Sequence, residues 1–172
     1  AQGFVAAGGH GGLKADGADD LALVATADGK AVPAAGVFTA NKMTAPPVLV
    51  SRAHLKQSGG HAAAVLLNSG NANACTGQRG LDDCREMARL GAEAVGAKEH
   101  QALVMSTGVI GHFLPMDKIA AGLGTQYDLG SMHKRLKNAG LVTHSLTLPG
   151  HGTKAEDLAG VARMLERHSN WN

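Results

Sequence analysis

Two short polar turns carry the chemistry this sequence offers. The first is Asn68-Ser69-Gly70-Asn71-Ala72-Asn73-Ala74-Cys75-Thr76-Gly77; the second is Ser106-Thr107-Gly108-Val109-Ile110-Gly111. An apolar, strand-like run precedes each, Ala62 to Leu67 before the first and Gln101 to Met105 before the second. Small, glycine-bearing turns let backbone N–H groups face outward, where they can hold a bound anion or a developing negative charge. Asn68, Asn71 and Asn73 could orient a substrate or its waters through amide hydrogen bonds, and Asn71 and Asn73 are taken as candidate substrate-binding residues. The competing reading is a pair of ordinary tight turns, which Asn and Gly also satisfy.

Around these turns the sequence reads as strands followed by strand, helix, strand and helix. Leu21–Thr26 and Val32–Ala40 flank Asp28-Gly29, a hairpin signal. Pro46-Pro47 leads into Val48-Leu49-Val50, read as an edge strand. Leu81 to Ala97 is the clearest helix. Its Asp82 and Asp83 favour the positive N-terminal end, and Cys84, Met87, Ala88, Gly91, Ala94 and Val95 fall on one face. Pro115 opens a shorter helix toward Ala121. The order fits an α/β layered fold.

At 172 residues the chain can bury a sizeable core, as one modest domain or two partial ones. With only 3% aromatics and 24 glycines, that core must pack closely and be aliphatic. A formal charge of +2 is too small to imply a nucleic-acid or membrane partner. None of the nine histidines pairs at a metal spacing, so no metal is expected, and His10, His54, His61 and His100 are expected on the surface. Lys14, Lys42 and Arg52 are expected to be solvated. Cys75 and Cys84, the only cysteines, are expected as reduced thiols, and Cys75 has no histidine at a fixed motif place to make it a nucleophile. No apolar run approaches about eighteen residues and no signal-peptide pattern is present, so a cytoplasmic location is expected. A start at Ala1 rather than methionine suggests a trimmed or incomplete N-terminus.

The decamer and the hexamer together closely resemble the N-terminal α-part of the ornithine acetyltransferase family, also called glutamate N-acetyltransferases. Collinear segments extend the resemblance: Gly3-Phe4, Gly12-Leu13-Lys14, Asp20-Leu21-Ala22-Leu23, Gly36-Val37-Phe38-Thr39-Ala40-Asn41, Ala45-Pro46-Pro47-Val48 and Leu114-Pro115-Met116-Asp117-Lys118-Ile119. The resemblance implies an α/β layered sandwich and acetyl transfer between N-acetylornithine and glutamate in arginine biosynthesis. It also implies acetyl-CoA as a substrate wherever a synthase side-activity exists; no motif of the sequence implies a metal or organic cofactor. Family chemistry passes through a tetrahedral oxyanion and an acyl-enzyme. Its nucleophile is a threonine that uses its own free amine as base. Carried onto this sequence, the catalytic oxyanion donors are Thr107 and Gly108. The nucleophile would come from a missing β-part, giving a hetero-oligomer of α and β parts.

Beyond Ala121 the chain changes character. Neither the Thr-Thr-Asp element nor the self-cleavage sequence of the acetyltransferases follows. Residues 122–172 read instead as a glycine turn, a helix to Gly140, a strand Leu141–Leu148 and the turn Pro149-Gly150-His151-Gly152-Thr153. That series resembles the early region of an α/β-hydrolase of the carboxylesterase or lipase kind, although the G-x-S-x-G elbow is absent. The expected organisation is therefore an acetyltransferase α-part over 1–121 and a hydrolase-like fragment or divergent tail over 122–172, joined near Ala120–Gly124. A non-catalytic fragment or chimera is the alternative to the enzyme-part reading.

Overall fold

The computed structural model describes residues 2–126. In chain order they form β1 (Phe4–Gly9), β2 (Leu21–Thr26), β3 (Val32–Pro33), α1 (Pro46–Gln57), β4 (His61–Ala62), β5 (Ala64–Asn68), α2 (Gly77–Glu93), a 3₁₀ turn (Glu99–Gln101), β6 (Ala102–Ser106) and α3 (Met116–Gln126). Four strands make one sheet in the order β1-β2-β5-β6, while β3 and β4 pair separately. The first two pairings of the large sheet are antiparallel and β5–β6 is parallel. The α/β layered class expected from the sequence is present.

Register explains where the core sits. Side chains alternate faces along a strand, so residues directly opposite across the sheet share a face. One face carries the rows Val5-Ala25-Ala64-Ala102 and Ala7-Leu23-Leu66-Val104. These residues join α2's Cys84, Met87 and Ala88 and α3's Ile119 and Leu123 in a single aliphatic core. The next row, Gly9-Leu21-Asn68-Ser106, turns polar on the two parallel strands. The opposite face carries Ala6-Val24-Val65-Leu103 and Gly8-Ala22-Leu67-Met105, with no polar residue in either row. Val24 and Met105 are exposed there, Met105 to 55%.

Three local expectations are corrected. Val48–Val50 is not a strand: Pro46 and Pro47 open α1 at its first positions, where a missing N–H costs nothing and the fixed φ suits a helix. α1 then covers the open edge of β6. Ser51 Oγ donates to Val104 O and accepts from Val104 N–H, both at 3.0 Å, and His54 Nδ1 lies 2.9 Å from Ala102 O. His54 is thus buried, not a surface histidine. The second correction concerns the hairpin over Asp28-Gly29. Only Val32–Pro33 is strand, and it pairs with β4, while β2 takes β1 and β5 as partners. Ala34 N–H still donates to Gly60 O at 2.8 Å, but the partner turns away at Gly59-Gly60, both at positive φ, so the run to Ala40 has nothing left to pair with. Third, α2 begins at Gly77, four residues early, so Asp82 and Asp83 lie beyond its first turn.

α3 runs unbroken through Ala120–Gly124, where the two segments were expected to join, and Ile119 and Leu123 are buried in the core. The expected helix to Gly140, the strand Leu141–Leu148 and the Pro149–Thr153 turn lie outside the described residues.

Candidate functional site

Parallel pairing puts Asn68 opposite Ser106, so both polar turns leave the same end of the sheet side by side. They are stitched together by the main chain. Thr107 N–H donates to Asn68 O at 3.1 Å, Val109 N–H to Gly70 O at 3.2 Å and Ala72 N–H to Val109 O at 2.9 Å. Gly108 crosses Gly70 so closely that a Cβ there would fall 2.3 Å from Gly70 C and 2.5 Å from Asn71 N, and its φ is +130°. Only glycine fits. Thr107 and Gly108 are both exposed, and neither the Thr107 hydroxyl nor the Gly108 N–H has a hydrogen-bond partner among the described residues. The turn therefore leaves a hydroxyl and a backbone donor without partners among the described residues, at two exposed positions.

The asparagines work mainly within the turns. Asn73 is 1% exposed; its Nδ2 donates to Gly80 O at 2.7 Å and its Oδ1 accepts from Thr76 Oγ1 at 2.6 Å. That amide braces the first turn against α2 from within. Asn71 Nδ2 donates to Phe113 O at 2.8 Å, and Asn68 Nδ2 to Asn71 O at 2.7 Å. The oxygen ends of Asn68 and Asn71 are buried and accept nothing from the described residues. Ser106, read from the sequence only as part of the turn, links the two: its Oγ accepts Asn73 N–H at 2.8 Å and donates to Asn71 O at 3.2 Å. Cys75 is exposed with φ +57°, and Cys84 is buried with its thiol pushed up to about 12 by desolvation. Arg79 stacks 4.2 Å from the Phe113 ring centroid, pinning the loop after the second turn to α2.

Lys14 and Arg52, expected to be solvated, both make defined contacts. The Lys14 ammonium donates to Asp19 O at 2.9 Å, and its stem lies against Gly70. Arg52 donates to Thr39 O at 3.0 Å and sits over the Phe38 ring. Sequence reading also passed over Asp20, whose buried carboxylate accepts backbone N–H groups from Gly11 (2.5 Å), Leu13 (2.7 Å) and Lys14 (2.9 Å). Burial pushes this carboxyl up, but those three donors and the nearby His10 outweigh it and hold the group below its ordinary value.

Fold and site together define a layered α/β domain whose polar turns sit at the carboxyl ends of two adjacent parallel strands. The chain belongs to the ArgJ family, whose sequence model matches residues 5–147. It is 47% identical over 135 residues to the mitochondrial arginine biosynthesis bifunctional protein ArgJ of Clavispora lusitaniae, covering 77% of this chain and 32% of that one. The corresponding Meyerozyma guilliermondii protein is 41% identical over 163 residues, covering 92% of this chain and 37% of that one. Among solved structures, ornithine acetyltransferase from Mycobacterium tuberculosis, complexed with ornithine, superposes with TM-score 0.67 at 45% identity, over 72% of this chain and 65% of that chain. ArgJ from Bacillus halodurans gives TM-score 0.66 at 44% identity, over 72% and 62%. The chain spans about a third of the length of the curated relatives it matches. Their similarity runs past residue 121, so much of the segment expected to resemble a hydrolase is matched by the ArgJ family. No helix among the described residues is long and apolar enough to cross a membrane.

Proposed function

We propose that this chain is the oxyanion-binding part of an acetyltransferase that moves acetyl between N-acetylornithine and glutamate, with the nucleophile carried by the family sequence it does not include. One observation carries this reading: Thr107 Oγ1 and Gly108 N–H stand unpartnered, among the described residues, on a turn fixed by its neighbour. Attack on an acetyl carbonyl turns a planar oxygen into a tetrahedral oxyanion. Two donors held ready for that oxygen would favour the transition state over the ground state, with no reorganisation as charge develops. The missing threonine, by resemblance, attacks and carries the acetyl, its own amine taking the proton. Asn71 and Asn73 support the turn from beneath and bear on substrate through it.

Two further observations support a second part. The chain covers about a third of the curated relatives but more than three-fifths of each solved chain, so those solved chains are shorter than the full relatives. The outer sheet face, with its two wholly apolar rows, offers that second part a surface to cover. The assembly proposed is a hetero-oligomer of the two parts, taking small amino-acid substrates and acetyl-CoA where a synthase side-activity exists. The cytoplasm is the proposed compartment, although the fungal relatives carry "mitochondrial" in their names. The division at 121/122 is a proposal about origin only; hydrolysis of p-nitrophenyl acetate by this chain would favour a hydrolase-derived tail, and none is expected.

The test is complementation. This chain is mixed with a separately made β-part, and acetyl exchange between N-acetylornithine and glutamate is followed. Exchange is expected from the mixture and not from this chain alone. In the active mixture Thr107→Ala should slow acyl-enzyme formation on the order of a hundredfold, the usual cost of one lost oxyanion donor (about 3 kcal/mol), with folding unchanged. Failure of the parts to associate would favour a non-catalytic fragment, and an unaltered rate would remove Thr107 from the mechanism.

A further inference from the structure

Two segments that carry the family resemblance, Gly12-Leu13-Lys14 and Asp20-Leu21-Ala22-Leu23, lie outside the oxyanion turn and have no part in the chemistry described so far. In the structure they meet at one side chain. The Asp20 carboxylate is buried and gathers the N–H groups of Gly11, Leu13 and Lys14, folding that loop around itself. His10 Nδ1 sits 3.3 Å from the same carboxylate. Lys118 Nζ ties the loop from the other side through Gly12 O at 2.7 Å. A loop held this firmly has something to position.

What it touches is Gly70. A Cβ on Gly70 would fall 2.9 Å from Lys14 Cγ, so the lysine stem lies directly on that residue. The main chain of Asp20 reaches the same place, since its carbonyl accepts Ser69 N–H at 2.8 Å. Gly70 is in turn the residue against which Gly108 packs, and its carbonyl accepts Val109 N–H. A continuous series of contacts thus runs from Asp20 through Lys14 and Ser69 to Gly70, and from Gly70 to the proposed oxyanion donor. We propose that Asp20 is a positioning residue for acyl transfer: it seats the Gly11–Lys14 loop on Gly70 and so fixes the height at which Gly108 presents its N–H. The inference rests on the oxyanion reading of Thr107 and Gly108. It adds a residue that touches neither substrate nor the reacting atoms.

Small displacements of a donor weaken catalysis more than binding, because the donor acts where charge develops. Asp20→Asn keeps the shape and the backbone carbonyl but leaves the three N–H groups short of acceptors. Lys14→Ala removes the stem on Gly70 together with the ammonium's bond to Asp19 O, and leaves the Asp20 carboxylate with its three N–H donors. Asp16→Asn is the control, since Asp16 closes a local turn onto Ala18 N–H, and the atoms nearest a Gly70 Cβ belong to Leu13 and Lys14. Amide hydrogen exchange on this chain is read at Leu13 and Lys14, at Val109 and across α2. Acetyl transfer is read in the mixture with the β-part.

In Asp20→Asn, exchange at Val109 should rise about tenfold with α2 unchanged, and kcat should fall about tenfold with KM within about twofold. Lys14→Ala should move Val109 in the same direction by less, and Asp16→Asn should do neither. Loosening of Leu13 and Lys14 with Val109 unmoved would overturn the proposal, as would a raised KM at constant kcat. If Asp20→Asn loosens α2 as well, Lys14→Ala decides: an unchanged Val109 overturns the proposal. If the unmodified mixture transfers no acetyl, the functional reading fails, while the exchange results still decide whether Asp20 governs the turn.

Discussion

Replacing Gly108 with alanine should destabilise this chain by about 4 kcal/mol, and the figure follows from two independent terms. Its φ of +130° lies where L-residues are strained, at a cost of about 1–3 kcal/mol. The added Cβ would stand 2.3 Å from Gly70 C and 2.5 Å from Gly70 O, about an ångström inside contact with backbone that cannot rotate away. Overpacking of that kind adds about 1–3 kcal/mol. Relief requires the two turns to part, which stretches Val109 N–H from Gly70 O. Gly111 supplies the control. Its φ is +89° but an added Cβ would meet nothing within 4 Å, so Gly111→Ala carries the dihedral term alone. Urea unfolding of the two variants at a common m-value separates the terms. Equal losses in the two would refute the close approach of the turns, and with it the claim that Gly108 N–H is held in a fixed place.

Other outcomes follow from single groups. With Ellman's reagent at pH 8, native protein should give up one fast thiol, exposed Cys75, while buried Cys84, its thiol pushed up to about 12, reacts only on unfolding; two fast thiols would contradict the burial of α2. Ser51→Ala should cost about 1–3 kcal/mol by leaving Val104 N–H buried without an acceptor, and should speed exchange of that amide before its neighbours. Because Asp20 titrates below its ordinary 3.8 in the folded chain, its stabilisation is complete above that pH and is lost as pH falls through the lowered value. The stability gap between wild type and Asp20→Asn should accordingly be constant above 3.8 and narrow below it; a gap that widened in acid would reverse the sign of the argument.

The two polar turns were more legible than the elements that hold them. The two turns stand out because each follows an unbroken apolar run, and strands β5 and β6 were placed within a residue or two. Their adjacency was not legible: nothing local in Ala64–Asn68 or Ala102–Ser106 states that the two strands pair in parallel, with Asn68 opposite Ser106. β1 was missed because only Phe4 and Val5 of its six residues favour a strand, and the Ala-Ala-Gly-Gly that follows is held in one by pairing with β2. Val48-Leu49-Val50 misled in the opposite direction. Its branched side chains suggest a strand, yet two prolines preset a helix that Ser51 and His54 then anchor to β6. Asp20 stood within a segment of the family resemblance, but its role was not legible, since a carboxylate that serves backbone groups from several loop positions leaves no side-chain pairing pattern to find.

A site whose nearest approach is made by main chain has an unusual genetic shadow. Truncation, the usual way of finding functional side chains, can probe Thr107 but has nothing to remove at position 108, which shows itself only when an atom is added, as in Gly108→Ala. Selection at 108 acts on the absence of an atom, so every amino-acid replacement there, down to alanine, adds bulk where the Gly70 backbone already stands. Variation should instead accumulate where bulk can be absorbed, at exposed Val109 and Ile110 immediately downstream. A deep mutational map of this chain would then display a sharp intolerant column at 108 flanked on one side by permissive ones, a pattern set by the crossing of two backbones.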